Sequence, residues 1–167
     1  DLSTKPERQR VMHMMDAMDR ADEGMIRSVR AIHYGMIRFI DDTIGRVMAK
    51  LDELGLTEDT VVIFLSDHGD SMGAHGLIQK HNCFYDTFTH VPLIVSWPGR
   101  SLAGNRCPHL VELVDVMPKI LELAGCPIPY GVQGRSFAPY LMGKDYQPRE
   151  FVVVESGEEG EPMRVED

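Results

Sequence analysis

The run Thr60-Val61-Val62-Ile63-Phe64-Leu65 constrains this chain most, because it is apolar without alternation and ends at once in Ser66-Asp67-His68-Gly69-Asp70. A strand of that pattern suits a position covered on both faces, as in a parallel sheet. The residues before it read as a long helix. From about Asp22 to Leu54, the positions Ile26, Val29, His33, Met36, Ile40, Ile44, Val47, Leu51 and Leu54 recur every three or four residues. Gly55 is placed to end that helix, and Leu56 follows it with an apolar side chain. Thr57-Glu58-Asp59 forms the turn from helix to strand, which is half of an α/β unit. A second apolar strand is expected over Val91 to Ser96, with Pro92 near its start, where a missing N–H is tolerated. The fold class that follows is α/β.

Other segments read less regularly. Val11, Met14, Met15 and Met18 fall at helical spacing and predict a short amphipathic helix packed on a neighbour. Leu110 to Leu123 predicts another helix, with Leu113, Val116, Ile120 and Leu123 as its inner face and Ala124-Gly125 as its end. Residues 127–150 read as an extended surface segment, and Phe151 to Val154 as a last short strand. The stretch from Glu155 to Asp167 is an acidic tail.

With 167 residues, there is material for one ordinary core. A net charge of −9 argues against a nucleic-acid partner, which calls for a basic patch. It also means that any anionic ligand must be drawn in by local cations rather than by the overall field. Cys83, Cys107 and Cys126 form no disulfide framework and no C-x-x-C pair, which slightly favours a reducing, cytoplasmic setting. No apolar run approaches the ~18 residues of a membrane span. The chain opens on Asp1 and closes on Val-Glu-Asp, and is read as a piece of a longer protein.

The chemistry gathers where the first strand ends. In open α/β sheets, ligands bind at the carboxyl ends of strands. Asp67 offers a carboxylate oxygen there and His68 an imidazole nitrogen, two donors for a divalent cation. The alternative is that Asp67 caps the loop backbone. A glycine-marked loop follows, up to about Thr89, carrying His75, Lys80, His81 and Asp86. Loops of that length are commonly functional. Lys80 lies thirteen residues after Asp67; a lysine returning near a metal suits an oxyanion substrate, whose charge the two would share. Asp41-Asp42 is read as a solvated or ion-paired helix surface, with Arg38 and Arg46 as partners. His81 is read as exposed, and His90 as a structural residue at the second strand's entry.

Ser66-Asp67-His68-Gly69-Asp70, then Gly73-Ala74-His75-Gly76-Leu77, Lys80 and Thr89-His90-Val91-Pro92-Leu93-Ile94, resemble the later half of a sulfatase, within the alkaline phosphatase superfamily. Phe39-Ile40-Asp41-Asp42 and Gly45-Arg46-Val47 resemble that family's helix before the metal strand. Val114-Asp115, Pro118 and Gly134-Arg135-Ser136 resemble its later segments. The resemblance implies a fragment of the large mixed-sheet domain with helices packed on the sheet, running over residues 1–155, and residues 156–167 beginning a further subdomain. It implies that Asp67 and His68 ligate a divalent metal, calcium in most sulfatases and manganese or zinc in phosphonate or phosphate hydrolases. Lys80 would bind the sulfate and stabilise the leaving oxygen, with His75 near the substrate.

The departures are equally specific. The family's C-x-P-S-R motif, whose cysteine matures to formylglycine, matches none of the three cysteines, and its early Asp-Asp metal pair is absent. The expectation is therefore a sulfuric ester hydrolase as the intact protein, acting on a small-molecule or carbohydrate sulfate ester, with this segment inactive alone. A phosphonate or phosphate ester hydrolase is the alternative within the superfamily. A non-catalytic binding or assembly piece, self-associating through exposed sheet edges, is the alternative outside it.

Overall fold

The computed structural model describes residues 2–155, together with the backbone of 157–158 and 161–162. The acidic tail falls largely outside the described residues. Helix α1 (Glu7–Met15) is followed by the long α2 (Glu23–Glu53) and strand β1 (Val62–Leu65). Next come α3 (Asp86–Thr89), β2 (Leu93–Ser96), α4 (Val116–Leu123) and α5 (Ala138–Leu141). Strands β1 and β2 are neighbours in a two-stranded sheet, so the fold is an α/β fragment as expected. Gly157–Glu158 and Glu161–Pro162 form a minimal antiparallel pair, β3 and β4.

The ends of α2 are dictated locally. The Asp22 carboxylate accepts from the Met25 N–H at 2.7 Å, satisfying an otherwise orphaned donor. At the far end Gly55 takes φ 67°, its N–H donating to the Asp52 carbonyl while the Leu56 N–H reaches Leu51. That Schellman closure leaves the last carbonyls paired. Yet α2 buries no residue fully, and Phe39 is 73% exposed. Strand β1 is likewise half-covered, with Phe64 and Leu65 exposed, which corrects the expectation of two covered faces. Non-alternating sequence reports that a strand suits burial; it does not supply the cover.

The chain divides into two compact units, residues 1–57 with 65–93 and 156–167, and residues 58–64 with 94–155. In the first, Met12, Leu77 and Phe88 form a small core. Helix α1 therefore faces inward through Met12 and Gln9, not through Val11, Met14 and Met15, which are exposed. Met18, which shared that expected face, is buried beyond the helix.

The second unit contains a similar reversal. A 3-10 turn at Leu113–Asp115 precedes α4, so the helix starts later than Leu110. The turn buries Asp115 and the helix buries Pro118 and Lys119, while Leu113 and Ile120 are exposed. Asp115 is held by Arg149, whose guanidinium pairs with it and, at 3.0 Å, with Glu112, and Lys119 lies over the Phe137 ring. Gly134 makes a close approach possible: a Cβ there would lie 2.1 Å from the Val114 carbonyl oxygen, and the next N–H, of Arg135, donates to Asp115. The segment 127–150 is not wholly extended, since α5 lies within it and Phe137 and Ala138 are buried. Phe151 to Val154 forms no strand; these residues are exposed, and the Val153 N–H donates to the Glu112 carboxylate instead.

Candidate functional site

The turn after β1 is built from its own polar side chains. Ser66 Oγ donates to the His68 carbonyl at 2.7 Å, and the His68 N–H donates to Asp67 Oδ1 at 3.0 Å. The Met72 N–H donates to Asp70 Oδ1. Gly69 is required by proximity, because a Cβ would stand 1.9 Å from the Thr87 carbonyl oxygen. Its N–H donates to the Phe88 carbonyl, fixing the turn against α3.

These constraints place Asp67 and His68 side by side and open to solvent, the Asp67 side chain 84% exposed and the His68 side chain 42%. His68 Nδ1 lies 2.9 Å from the Gly69 carbonyl, an acceptor, so this nitrogen carries a proton. Nε2 is 3.8 Å from Asp67 Oδ2. An imidazole fixed through one nitrogen on a backbone carbonyl, with the other nitrogen open, is the orientation metal-ligating histidines take. The pair thus has the chemistry of two metal donors. One Asp67 oxygen also serves the backbone, so the capping alternative is realised alongside. Among the described residues no group of three or more His, Cys, Asp or Glu gathers to hold a metal ion.

Beyond the turn, the loop carries three non-glycine residues with positive φ, at Met72 (43°), His75 (55°) and Gln79 (63°). Such conformations cost energy and persist only where surrounding contacts over-determine them. Here the contacts come from α1 and α2. Gln9 Nε2 donates to the His75 carbonyl at 2.8 Å, His13 Nδ1 meets the Gly76 carbonyl at 2.6 Å, and Arg30 Nε donates to the Met72 carbonyl at 2.8 Å. The exposed His75 ring stacks on Tyr85 at 3.7 Å between centroids. Cys83 is part-buried, and that burial pushes its thiol pKa up, opposed by Arg8.

Lys80 is exposed. His81 is not, contrary to expectation: its Nε2 lies 2.8 Å from Asp16 Oδ2 in a largely buried pair. His90 is exposed at the end of α3. Asp42 pairs with Arg38 on the surface of α2, as read. Sequence reasoning passed over Asp16 and Ser71, which hold the lysine loop from outside its own motif. No spacing rule links Asp16 to a residue 62 positions later.

The Sulfatase family model matches residues 3–126, and the chain belongs to that family. Among curated relatives, the multifunctional alkaline phosphatase superfamily protein PehA of Trinickia caryophylli is 44% identical over 72% of this chain and 23% of its own length. Arylsulfatase K of Rattus norvegicus is 36% identical over 78% of this chain and 23% of its own. A putative sulfatase from Bacteroides thetaiotaomicron superposes with a TM-score of 0.79 at 30% identity, covering 93% of this chain and 35% of that one. A phosphonate monoester hydrolase from Silicibacter pomeroyi gives 0.70 at 36% identity, covering 77% of this chain and 24% of that one. The chain thus spans about a quarter of the length of these curated relatives. No helix among the described residues is long and apolar enough to cross a membrane.

Proposed function

We propose that this chain is part of a metal-dependent sulfuric ester hydrolase, and that Asp67, His68 and Lys80 belong to its reaction site. The supporting observation is the turn itself, which leaves one carboxylate oxygen of Asp67 and Nε2 of His68 as unspent donors at the end of β1. A divalent cation, calcium in this reading, would supply positive charge for the oxyanion. Lys80 contributes a second positive charge, binding the sulfate and stabilising the leaving oxygen as its charge grows. His75, stacked on Tyr85, presents its ring edge beside the substrate. The segment has no C-x-P-S-R motif, so the nucleophile is supplied from elsewhere in the protein and these residues alone turn over no ester. The substrate class is a small-molecule or carbohydrate sulfate ester.

The phosphonate monoester hydrolase of like fold supports a second reading, hydrolysis of a phosphonate or phosphate ester with manganese or zinc as the metal. Comparing kcat/KM of the intact enzyme on matched aryl sulfates, phosphates and phosphonates decides between them, and a preference for the phosphonate overturns the first reading. Asp67→Ala in the intact enzyme is expected to lower the metal content of the purified protein. Unchanged content removes Asp67 from the ligand set.

A further inference from the structure

Lys80 sits in a backbone fixed on both flanks. Before it, the Gln79 carbonyl accepts the N–H of Ser71 at 3.3 Å and its hydroxyl at 3.1 Å, and Ser71 is 4% exposed. One residue earlier, the Ile78 N–H donates to Asp16 Oδ2 at 2.8 Å. After it, His81 Nε2 lies 2.8 Å from the same Asp16 oxygen and 3.0 Å from the Ile78 carbonyl. With two acceptors around one ring nitrogen, that nitrogen carries the proton. A single carboxylate oxygen therefore bridges the chain on either side of the lysine.

Anchoring α1 does not require this contact. Met12 in the core and the bonds from Gln9 and His13 already fasten the helix to residues 75–77. Asp16 reaches the residues that frame Lys80 instead. It does so as a largely buried acid, which carries a desolvation cost that a surface anchor would avoid.

We infer that Asp16 is a positioning residue for Lys80, setting where the ammonium group meets the substrate oxyanion. The inference rests on the reading of Lys80 as the oxyanion-binding lysine. Misplacing such a group by about an ångström is expected to cost up to ~100-fold in rate. The cost falls mainly on kcat, and mainly on esters whose leaving group most needs charge stabilisation.

The test uses the intact enzyme with phenyl and 4-nitrophenyl esters of whichever acid it hydrolyses. Lys80→Ala is expected to lower kcat by roughly 100-fold or more, and Asp16→Ala by roughly 10-fold, each with the greater loss on the phenyl ester. The double variant should lose no more than Lys80→Ala alone. Equal losses on both esters, or losses that multiply in the double variant, overturn the inference. Asp16→Asn keeps the shape and one acceptor oxygen, and carries the same test should the alanine variant not fold. If Lys80→Ala loses nothing, the reading of Lys80 fails and Asp16 fails with it. If Lys80→Ala loses activity while the Asp16 variants do not, only the Asp16 assignment falls.

Discussion

In the loop from Ser66 to Thr89, an irregular backbone is held by side chains and its lysine, Lys80, is left exposed. In helix α4, a regular backbone buries its lysine completely: Lys119 is 0% exposed. Its Nζ lacks a hydrogen-bond partner among the described residues and sits 4.4 Å from the centre of the Phe137 ring. The two arrangements place strain differently. The loop carries it in the backbone, at Met72, His75 and Gln79, and leaves a charge free to act. The helix carries it as desolvation, which pushes the Lys119 pKa down from 10.5 to about 8. An exposed charge on a braced, strained loop suits the ligand role proposed for Lys80, whereas a buried charge over an aromatic face belongs to packing.

The largest effect that would sharpen this contrast lies beside Lys119. Arg149→Ala removes the charged partner of Asp115, which is 1% exposed, and leaves the buried carboxylate with only the N–H groups of Glu112 and Arg135. A loss of ~3–5 kcal/mol is expected in denaturant unfolding of the intact protein; a loss below ~1 kcal/mol would mean that the two backbone N–H groups suffice for Asp115. The arginine's own pKa is raised first by its bond to Asp115, consistent with a strong pair. Next comes Lys80→Met, expected to cost ~3 kcal/mol of transition-state stabilisation while changing folding stability by less than ~0.5 kcal/mol. Equal damage to folding would break the distinction between the two lysines.

Lys119→Met should do the reverse, leaving activity intact and raising stability at pH 7 by ~1 kcal/mol, because desolvation outweighs the aromatic contact. The pH dependence has a definite direction. Below about pH 8 the folded state carries the buried charge. Between about 8 and 10.5 the folded protein has released the proton while the unfolded chain still holds it, so stability rises with pH. The rise amounts to ~3 kcal/mol at most, read as the difference between the wild type and Lys119→Met. A flat difference would show that Lys119 is solvated.

Legibility followed the range of the interaction. The limits of α2 were readable to a residue, since Asp22, Gly55 and Leu56 act on backbone groups within one turn. The first two strands were placed to within two residues, with Asp67 and His68 at the end of the first, because an apolar run has a definite stop, whereas the strand expected over Phe151 to Val154 did not form. The inner faces of α1 and α4 were misread for one shared reason. An apolar stripe shows which side of a helix suits burial, but the side that is buried depends on what lies opposite. For α4 that is Phe137, which lies over Lys119, and for α1 it is the loop around Leu77.

By itself the sequence determined the α/β class, the family and the position of Asp67 and His68 at the end of β1, all carried by contiguous residues and their local backbone. The tertiary structure alone decided that His81 is buried against Asp16, that Ser71 and Asp16 brace the chain around Lys80, and that Lys119 rather than Ile120 lies on the inside of α4. Each of these joins groups far apart in the chain through bonds that leave no periodic trace.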